Sequence, residues 1–444
     1  MIYDRRQFLT KGTKFAGGLS IAPFVILKNK NPAKLITVAI MGMQNRGNAL
    51  AKVFASRADC EVSWLCDVDT RYMERTSEEL ATLQDRKPKH EQDIRKVLED
   101  PTLDALVVAA PDHWHAPAAI MAMQAGKHVY LEKPSSHNPH EGELLLEATK
   151  KYDRVVQMGN QRRSWSNVQA AINELHNGII GNVYFAKGWY TNTRESIGIG
   201  RKTAVPDYLN FDLWQGPAPR QEYQDNIHPY NWHWFWQWGT GEALNNGTHF
   251  LDLMRWGMEV DYPERVVSSG GRYRYQDDWQ TPDTQTINLT FAEHKAMSWE
   301  SRSCNSMPLH GYSAGVVFHG EGGSCVIGSG NEYKVYDNER KQGLIKEVNA
   351  GDASEHDQRN LAGPGATYDA SHVLNFLQGI REGEAQRSEI VGGHKSTLLC
   401  QLGNIAYRTG RALNIDPASG HILGDDDAMK LWSREYEAGW EVKV

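Results

Sequence analysis

The chain has 444 residues, 40% of them hydrophobic and 10% aromatic, a composition that excludes wholesale disorder and allows two ordinary domains. A formal net charge of −7 argues against the clustered basic surface of a nucleic-acid-binding protein, and no repeat of fixed period points to a solenoid or propeller. Small-molecule chemistry is the class that remains.

At the N-terminus, Arg5-Arg6-Gln7-Phe8-Leu9 precedes a weakly apolar run from Phe15 to Leu27, closed by Lys28 and Lys30. This pattern resembles a twin-arginine export signal, with residues 1–32 as signal and linker and the periplasm as destination. A plain basic arm on a cytoplasmic protein is the alternative. The apolar run is about 13 residues, short of the roughly 20 that span a bilayer as a helix, so no transmembrane anchor is expected.

Leu35 to Ile40 is a short β-rich run, Gly42-Met43-Gln44-Asn45-Arg46-Gly47 follows, and a helical pattern covers 48–56. Strand, turn and helix in that order form the setting of a G-x-G-x-x-G dinucleotide turn, here with Gln44 in place of the second glycine. Gly42, Gln44, Asn45, Arg46 and Gly47 are therefore expected to bind a cofactor. The next strand, 61–66, ends in Asp67, about 25 residues past Gly42 and near the offset of a ribose-binding acid. A carboxylate there accepts hydrogen bonds from the ribose and repels a 2′-phosphate, which favours NAD. Arg71 lies near enough to serve NADP instead, and Asp69 reads as a helix-start residue.

Residues 105–110 are almost wholly apolar, as in the middle of a parallel sheet, and run into Pro111-Asp112-His113-Trp114-His115. Open α/β sheets bind ligands at the carboxyl ends of their strands, so Pro111, Asp112, Trp114 and His115 are expected beside the cofactor. A helix over 118–125 stops at Gly126, and the strand after it leads to Leu131-Glu132-Lys133-Pro134. A lysine at that strand end, held by an X-Pro step, is placed to take a proton from an alcohol being oxidised. Glu132 and Lys133 complete the expected cofactor contacts. These βα units predict a doubly wound, parallel Rossmann domain over 33–155.

Beyond Asn160 the rhythm changes. One helix (168–175) and then β-rich segments at 183–190, 264–275, 284–291 and 314–327 predict a second α/β domain over 156–444, with a large open, mainly antiparallel sheet and closing helices near 368–381 and 395–411. The run Pro229-Tyr230-Asn231-Trp232-His233-Trp234-Phe235-Trp236-Gln237-Trp238 holds four tryptophans. Indole faces stack on sugar C–H faces, so Trp232, Trp234 and Trp236 are expected to bind substrate; an aromatic core plug or oligomer contact is the alternative. Asn245 and His249 share a face if they lie on one helix, and both are candidate substrate contacts. Arg162, Arg163 and Arg194 either meet a carboxylate on an acidic sugar or pair with acids of the protein; Arg162 joins the candidate substrate contacts.

Five cysteines, Cys60, Cys66, Cys304, Cys325 and Cys400, cannot all pair within one chain. Cys60 and Cys66 flank a strand that separates them by roughly 20 Å, far past the ~7 Å reach of a disulfide. Buried thiols are expected. With no zinc-type Cys/His spacing, no metal is expected.

The Gly42 turn, Pro111 to His115, Glu132-Lys133-Pro134, Asp212-Leu213-Trp214-Gln215-Gly216-Pro217, the Asn231 to Trp238 run, Gly247-Thr248-His249 and Gly403-Asn404-Ile405-Ala406-Tyr407-Arg408 together resemble the Gfo/Idh/MocA oxidoreductases. The resemblance covers nearly everything after the N-terminal segment. It implies a C-terminal sheet that often mediates homo-oligomers, a lysine matching Lys133 that contacts nicotinamide side and substrate, and a histidine matching His249 as proton carrier. The family commonly has an aspartate four residues before that histidine; here Asn245 stands, and an amide takes up no proton. The base is then His249, with Lys133 polarising the substrate oxygen. The function so implied is NAD-linked oxidation of a secondary hydroxyl on a sugar or glycoside, C3 being one case. An exported enzyme meets no free NAD, so the cofactor would stay tightly bound. The alternatives are a redox-assisted glycoside hydrolase, lyase or epimerase with bound NAD, and a non-enzymatic sugar sensor.

Overall fold

Alternating apolar β-runs and amphipathic helices build the first layer of this computed structural model, which describes residues 35–338, 343–350 and 366–444. The twin-arginine-type segment lies outside the described residues. In chain order the elements are β1 (Ile36–Met41), α1 (Arg46–Ala55), β2 (Cys60–Cys66), α2 (Thr70–Leu80), β3 (Lys89–Glu91), α3 (Ile94–Leu98), β4 (Ala105–Val108), α4 (His115–Gln124), β5 (His128–Leu131), α5 (Pro139–Tyr152) and β6 (Val156–Met158). All six strands are parallel, in the order β3-β2-β1-β4-β5-β6. The order reverses at β1, so the strand ends Met41, Cys66 and Val108 open onto one crevice, the place where such sheets bind ligands. The sheet runs three residues past the boundary expected at 155, because β6 pairs with β5. Helix α5 follows a clear start signal, with the Asn138 side chain accepting from the Glu141 N–H at 3.0 Å and proline at the first helical position.

The second layer comprises α6 (Ser166–His176), β7 (Val183–Thr191), α7 (Phe211–Gln215), α8 (Gly241–Asn245), α9 (Gly247–Met258), β8 (Arg265–Gly271), β9 (Thr284–Phe291), β10 (Lys295–Arg302), β11 (Ala314–Gly320), β12 (Gly323–Ile327), β13 (Tyr333–Asp337), β14 (Leu344–Val348), α10 (Ala366–Glu382), α11 (Ile390–Thr409), β15 (Leu413–Ile415), β16 (Ile422–Leu423) and α12 (Asp426–Met429). Among the described residues its sheet has the order β14-β13-β12-β11-β7-β10-β9-β8-β15-β16, antiparallel except where β10 runs parallel to β7. The stretch 314–327, expected as one strand, is a hairpin: Glu321-Gly322 turns the chain so that Phe318 pairs with Cys325.

One face of this sheet is covered by α9 and α11 over a core that includes Phe250, Met254, Trp299, Phe318 and Leu402. Helix α10 reaches back to the first layer, where Phe376 packs edge-on against Phe54 and Tyr130. Cys60, Cys66, Cys325 and Cys400 are buried free thiols, and Cys304 is a half-buried one. No described helix is long and apolar enough to cross a membrane.

Candidate active site

The chain leaves β1 through Gly42, whose φ of +83° is open to glycine and strained for other residues. A Cβ there would lie 2.7 Å from the Ala109 carbonyl, and one on Gly47 would lie 1.7 Å from the Gly42 carbonyl. Both glycines are thus fixed by main-chain contact, and the turn presents bare backbone to the crevice. The Gly47→Ala variant is expected to lose dinucleotide binding and to melt well below the parent. Overpacking already costs about 1–3 kcal/mol where side chains can yield, and here only backbone is available to move. Calorimetric unfolding with and without NAD checks this.

Arg75 braces the turn, donating to the Met43 and Gln44 carbonyls at 2.7 Å each. Asp67 accepts from the Met43 N–H at 2.6 Å and the Asp69 N–H at 2.9 Å, and burial pushes its carboxyl up to about 6 against the pull of those donors. Asp69 starts α2, accepting from the Arg71 N–H, and it also takes the Arg71 guanidinium at 2.7 Å. Arg71 further lies 3.3 Å from the Tyr208 ring. A ribose hydroxyl at Asp67 needs the carboxylate form, so NAD affinity should fall as pH drops through 6, by about tenfold between pH 7.5 and pH 5. The dependence should vanish in Asp67→Asn, as titration calorimetry would record.

At the end of β4, Asp112 is buried and accepts from the Thr240 hydroxyl at 2.5 Å; burial raises its pKa, opposed by the charges of His115 and Lys133. Both His115 ring nitrogens face carbonyls, Pro134 at 2.5 Å and Ala110 at 2.8 Å, so this imidazole ties the end of β4 to the Lys133-Pro134 step. Trp114 donates to the Trp214 carbonyl at 3.0 Å. Arg46, expected to hold the cofactor, instead spends its guanidinium on Glu132 at 2.7 Å and on Asp369 at 2.6 and 2.9 Å. It borders the cleft as the anchor of Glu132, which in turn accepts from the Lys133 N–H at 3.3 Å.

The catalytic candidates converge on the far wall. Lys133 Nζ donates to the Asn245 carbonyl at 2.6 Å and to Asn245 Oδ1 at 3.2 Å. An ammonium has three N–H donors, so one is left for a ligand. Burial lowers the Lys133 pKa, partly opposed by Glu132 and Asp112. Asn245 and His249 do not share a helix: the chain breaks at Asn246 between α8 and α9, and both residues still line the cleft. His249 is 2% exposed, its Nδ1 has no hydrogen-bond partner among the described residues, and burial with the Lys133 charge beside it holds its pKa well below the usual imidazole range. It is therefore a neutral ring able to accept a proton.

Behind Asn245 stands Glu242, which the sequence reading missed because nothing local marks it. It accepts from Asn245 Nδ2 at 3.3 Å, Ser303 Oγ at 3.0 Å and Arg194 Nε at 2.9 Å, all inside the protein. This accounts for the amide at 245: an aspartate there would set one carboxylate against another.

The cleft is lined by Gly42, Gln44, Asn45, Arg46, Asp67, Pro111, Asp112, Trp114, His115, Glu132, Lys133, Trp232, Asn245 and His249, with Gly47 packed behind the turn. Three expected substrate contacts lie elsewhere. Trp234 is 1% exposed and stacks on Trp279 at 3.9 Å, a core contact; Trp236 faces a separate hollow. Arg162 is buried between the Trp165 and Phe250 rings and donates to the Ser329 carbonyl at 2.6 Å. Arg163 and Arg194 pair with Asp252 at 2.7 Å and Glu242 at 2.9 Å. In exchange the cleft gains His228, Tyr230 and His233 from the same aromatic run, His233 stacking on Trp232 at 3.6 Å. Among the described residues no cluster of His, Cys, Asp or Glu is arranged to hold a metal.

Residues 36–160 match the model of the oxidoreductase family with NAD-binding Rossmann fold, and residues 206–414 match that of its C-terminal alpha/beta domain. The chain belongs to the Gfo/Idh/MocA oxidoreductase family. It is 29% identical over 204 residues to a glycosyl hydrolase family 109 protein of Saccharopolyspora erythraea, covering 43% of this chain and 44% of that protein. It is 32% identical over 190 residues to levoglucosan dehydrogenase of Pseudarthrobacter phenanthrenivorans, covering 40% of this chain and 42% of that protein. The chain thus spans less than half the length of the curated relatives it matches. The solved levoglucosan dehydrogenase complex with NADH and levoglucosan superposes with a TM-score of 0.65 at 19% identity, covering 85% of this chain and 99% of that one, a likeness of fold.

The residues present fit the dinucleotide that the family implies. The turn offers backbone where a Cβ at Gly42 would intrude, and a carboxylate closes β2.

Proposed function

We propose that this protein is an NAD-dependent dehydrogenase that oxidises a secondary hydroxyl of a sugar or glycoside, C3 being one case, with the cofactor held tightly through the cycle. The observation that carries it is the joint placement of Lys133, Asn245 and His249 in the crevice that the Gly42 turn and Asp67 also line. Bound there, NAD supplies the hydride acceptor. The bare turn and Asp67 hold it, with NADP the less suited form because Arg71 is committed to Asp69 and Tyr208. Lys133 directs its remaining N–H at the substrate oxygen, and Asn245, braced by Glu242, keeps the ammonium in place. His249, neutral and short of a partner, takes the hydroxyl proton. Trp232 offers its ring to the sugar.

Trp232→Ala should therefore raise KM about five- to tenfold, the scale of one lost aromatic contact, whereas Trp236→Ala should leave KM unchanged. Initial-rate kinetics on the two variants separate the cleft from the rest of the aromatic run. Assembly into a homo-oligomer through the long sheet, and export by the N-terminal segment, belong to the same proposal.

The likeness to a glycosyl hydrolase family 109 protein favours a second reading, bound NAD reduced and reoxidised within one hydrolytic turnover. Incubation with NAD, a sugar panel and chromogenic glycosides decides between them. Net nicotinamide reduction without aglycone release is expected; aglycone release without net reduction would replace dehydrogenation by hydrolysis.

A further inference from the structure

Trp236 and Arg408, two residues of the motifs noted above, take no part in the cleft. They meet at a second hollow on the other side of Gly239 and Thr240. The exposed Arg408 guanidinium lies 5.0 Å from the centre of the Trp236 ring. Deeper in, Arg434 is tied to Glu141 at 2.6 Å and to the His113 carbonyl at 2.7 Å, yet its buried Nη1 has no protein partner.

Two further lining groups are buried and unsatisfied. Asn138, 5% exposed, spends its oxygen on the start of α5 and leaves Nδ2 unused. Gln401, 3% exposed, donates to Ser136 at 3.1 and 3.2 Å and leaves Oε1 unused. His137 Nδ1 is also without a partner. A buried polar group left unpaired costs about 1–3 kcal/mol, so four at one hollow mark a place built to be filled by something polar.

The charge of the hollow sets what that is. Its two ionic lining groups are both arginines, and no aspartate or glutamate lines it. Planar guanidinium groups match a carboxylate, the Asn138 N–H adds a donor, and Gln401 and His137 offer acceptors for hydroxyls. Trp236 adds an apolar face.

We propose that this hollow is a second ligand site, for a hydroxylated carboxylate of monosaccharide size such as a sugar acid, independent of the substrate bound in the cleft. It adjoins the catalytic wall. Thr240 donates to Asp112 in the cleft while its carbonyl accepts from Asn404, which lines the hollow, at 2.8 Å.

Titration calorimetry on the full chain tests it, with D-glucuronate as probe, succinate as an acid without hydroxyls and D-glucose as the uncharged sugar. Saturable glucuronate binding, at least tenfold weaker succinate binding and none by glucose are expected. Arg408→Gln should weaken glucuronate at least tenfold with NAD affinity and melting temperature kept. Lys133→Met, in the cleft, should leave glucuronate binding intact. A crystal of the parent protein soaked in glucuronate should place the carboxylate against Arg408 or Arg434, a readout that stands even if Arg408→Gln does not fold. Absence of saturable glucuronate binding, binding indifferent to Arg408→Gln, binding lost with Lys133→Met, or density only in the cleft would overturn the proposal.

Discussion

The His249→Ala variant is expected to lose about 10²–10⁴ in kcat/KM while keeping NAD affinity near that of the parent, the range that a positioned acid/base group supplies. The reasoning starts from its surroundings. The imidazole is buried on α9, no carboxylate faces it, and Lys133 stands close enough to disfavour the imidazolium. Its proton affinity is low in the resting protein, so it is neutral and ready near pH 7. Below its pKa the ring is protonated and cannot act as base, so kcat/KM should rise with pH along an acid limb placed below the ordinary value of about 6.5. His249→Ala should remove that limb. A loss of NAD affinity as large as the loss of rate would point instead to a collapsed site, which a melting curve would reveal.

Lys133→Met should be comparably damaging, about 10²–10⁴ in kcat/KM, for a different reason. The ammonium is fixed by two contacts to Asn245, and its third N–H is the donor that the substrate oxygen meets. Polarising that oxygen needs the charged form, so rate should fall as pH rises through the Lys133 pKa. Burial lowers that pKa from the ordinary value of about 10.4, which moves the alkaline limb toward neutrality. The free enzyme should thus give a bell whose acid limb belongs to His249 and whose alkaline limb belongs to Lys133. Lys133→Arg should not restore activity, because a guanidinium is a larger, planar donor that cannot keep both Asn245 contacts in this space. A pH profile for each variant, measured alongside NAD binding, assigns the limbs.

What could be read from the sequence followed the range of the interactions involved. The crevice turn was legible at Gly42 and Gly47 because a backbone that crowded admits only glycine, and Asp67 and Lys133 because strand ends in a parallel sheet project to one side. Helix α5 could have been found from Asn138-Pro139 with Glu141 following, a local cap signal that was overlooked. Other features depend on distant partners. Trp232, Trp234 and Trp236 are spaced alike in sequence, yet only Trp232 reaches the cleft, because Trp279 from a remote loop stacks on Trp234 and the chain turns at 231–234 before running out toward Trp236. Arg46 reads as a phosphate contact until Asp369, more than 300 residues later, captures it. Glu242 became visible only with the break between α8 and α9, which lets Asn245 face Lys133 with its oxygen and Glu242 with its nitrogen.

The central claim is that the cleft carries NAD through reduction by a sugar hydroxyl. The most direct measurement loads the purified protein with NAD, removes the excess, adds one sugar or glycoside at a time from a panel that includes anhydrosugars and inositols, then denatures the protein and weighs the released nucleotide by mass spectrometry. The account predicts one nucleotide per chain, reduced with at least one sugar, and left oxidised in both Lys133→Met and His249→Ala. Nucleotide that stays oxidised across the whole panel, or that becomes reduced equally well in the two variants, would contradict it.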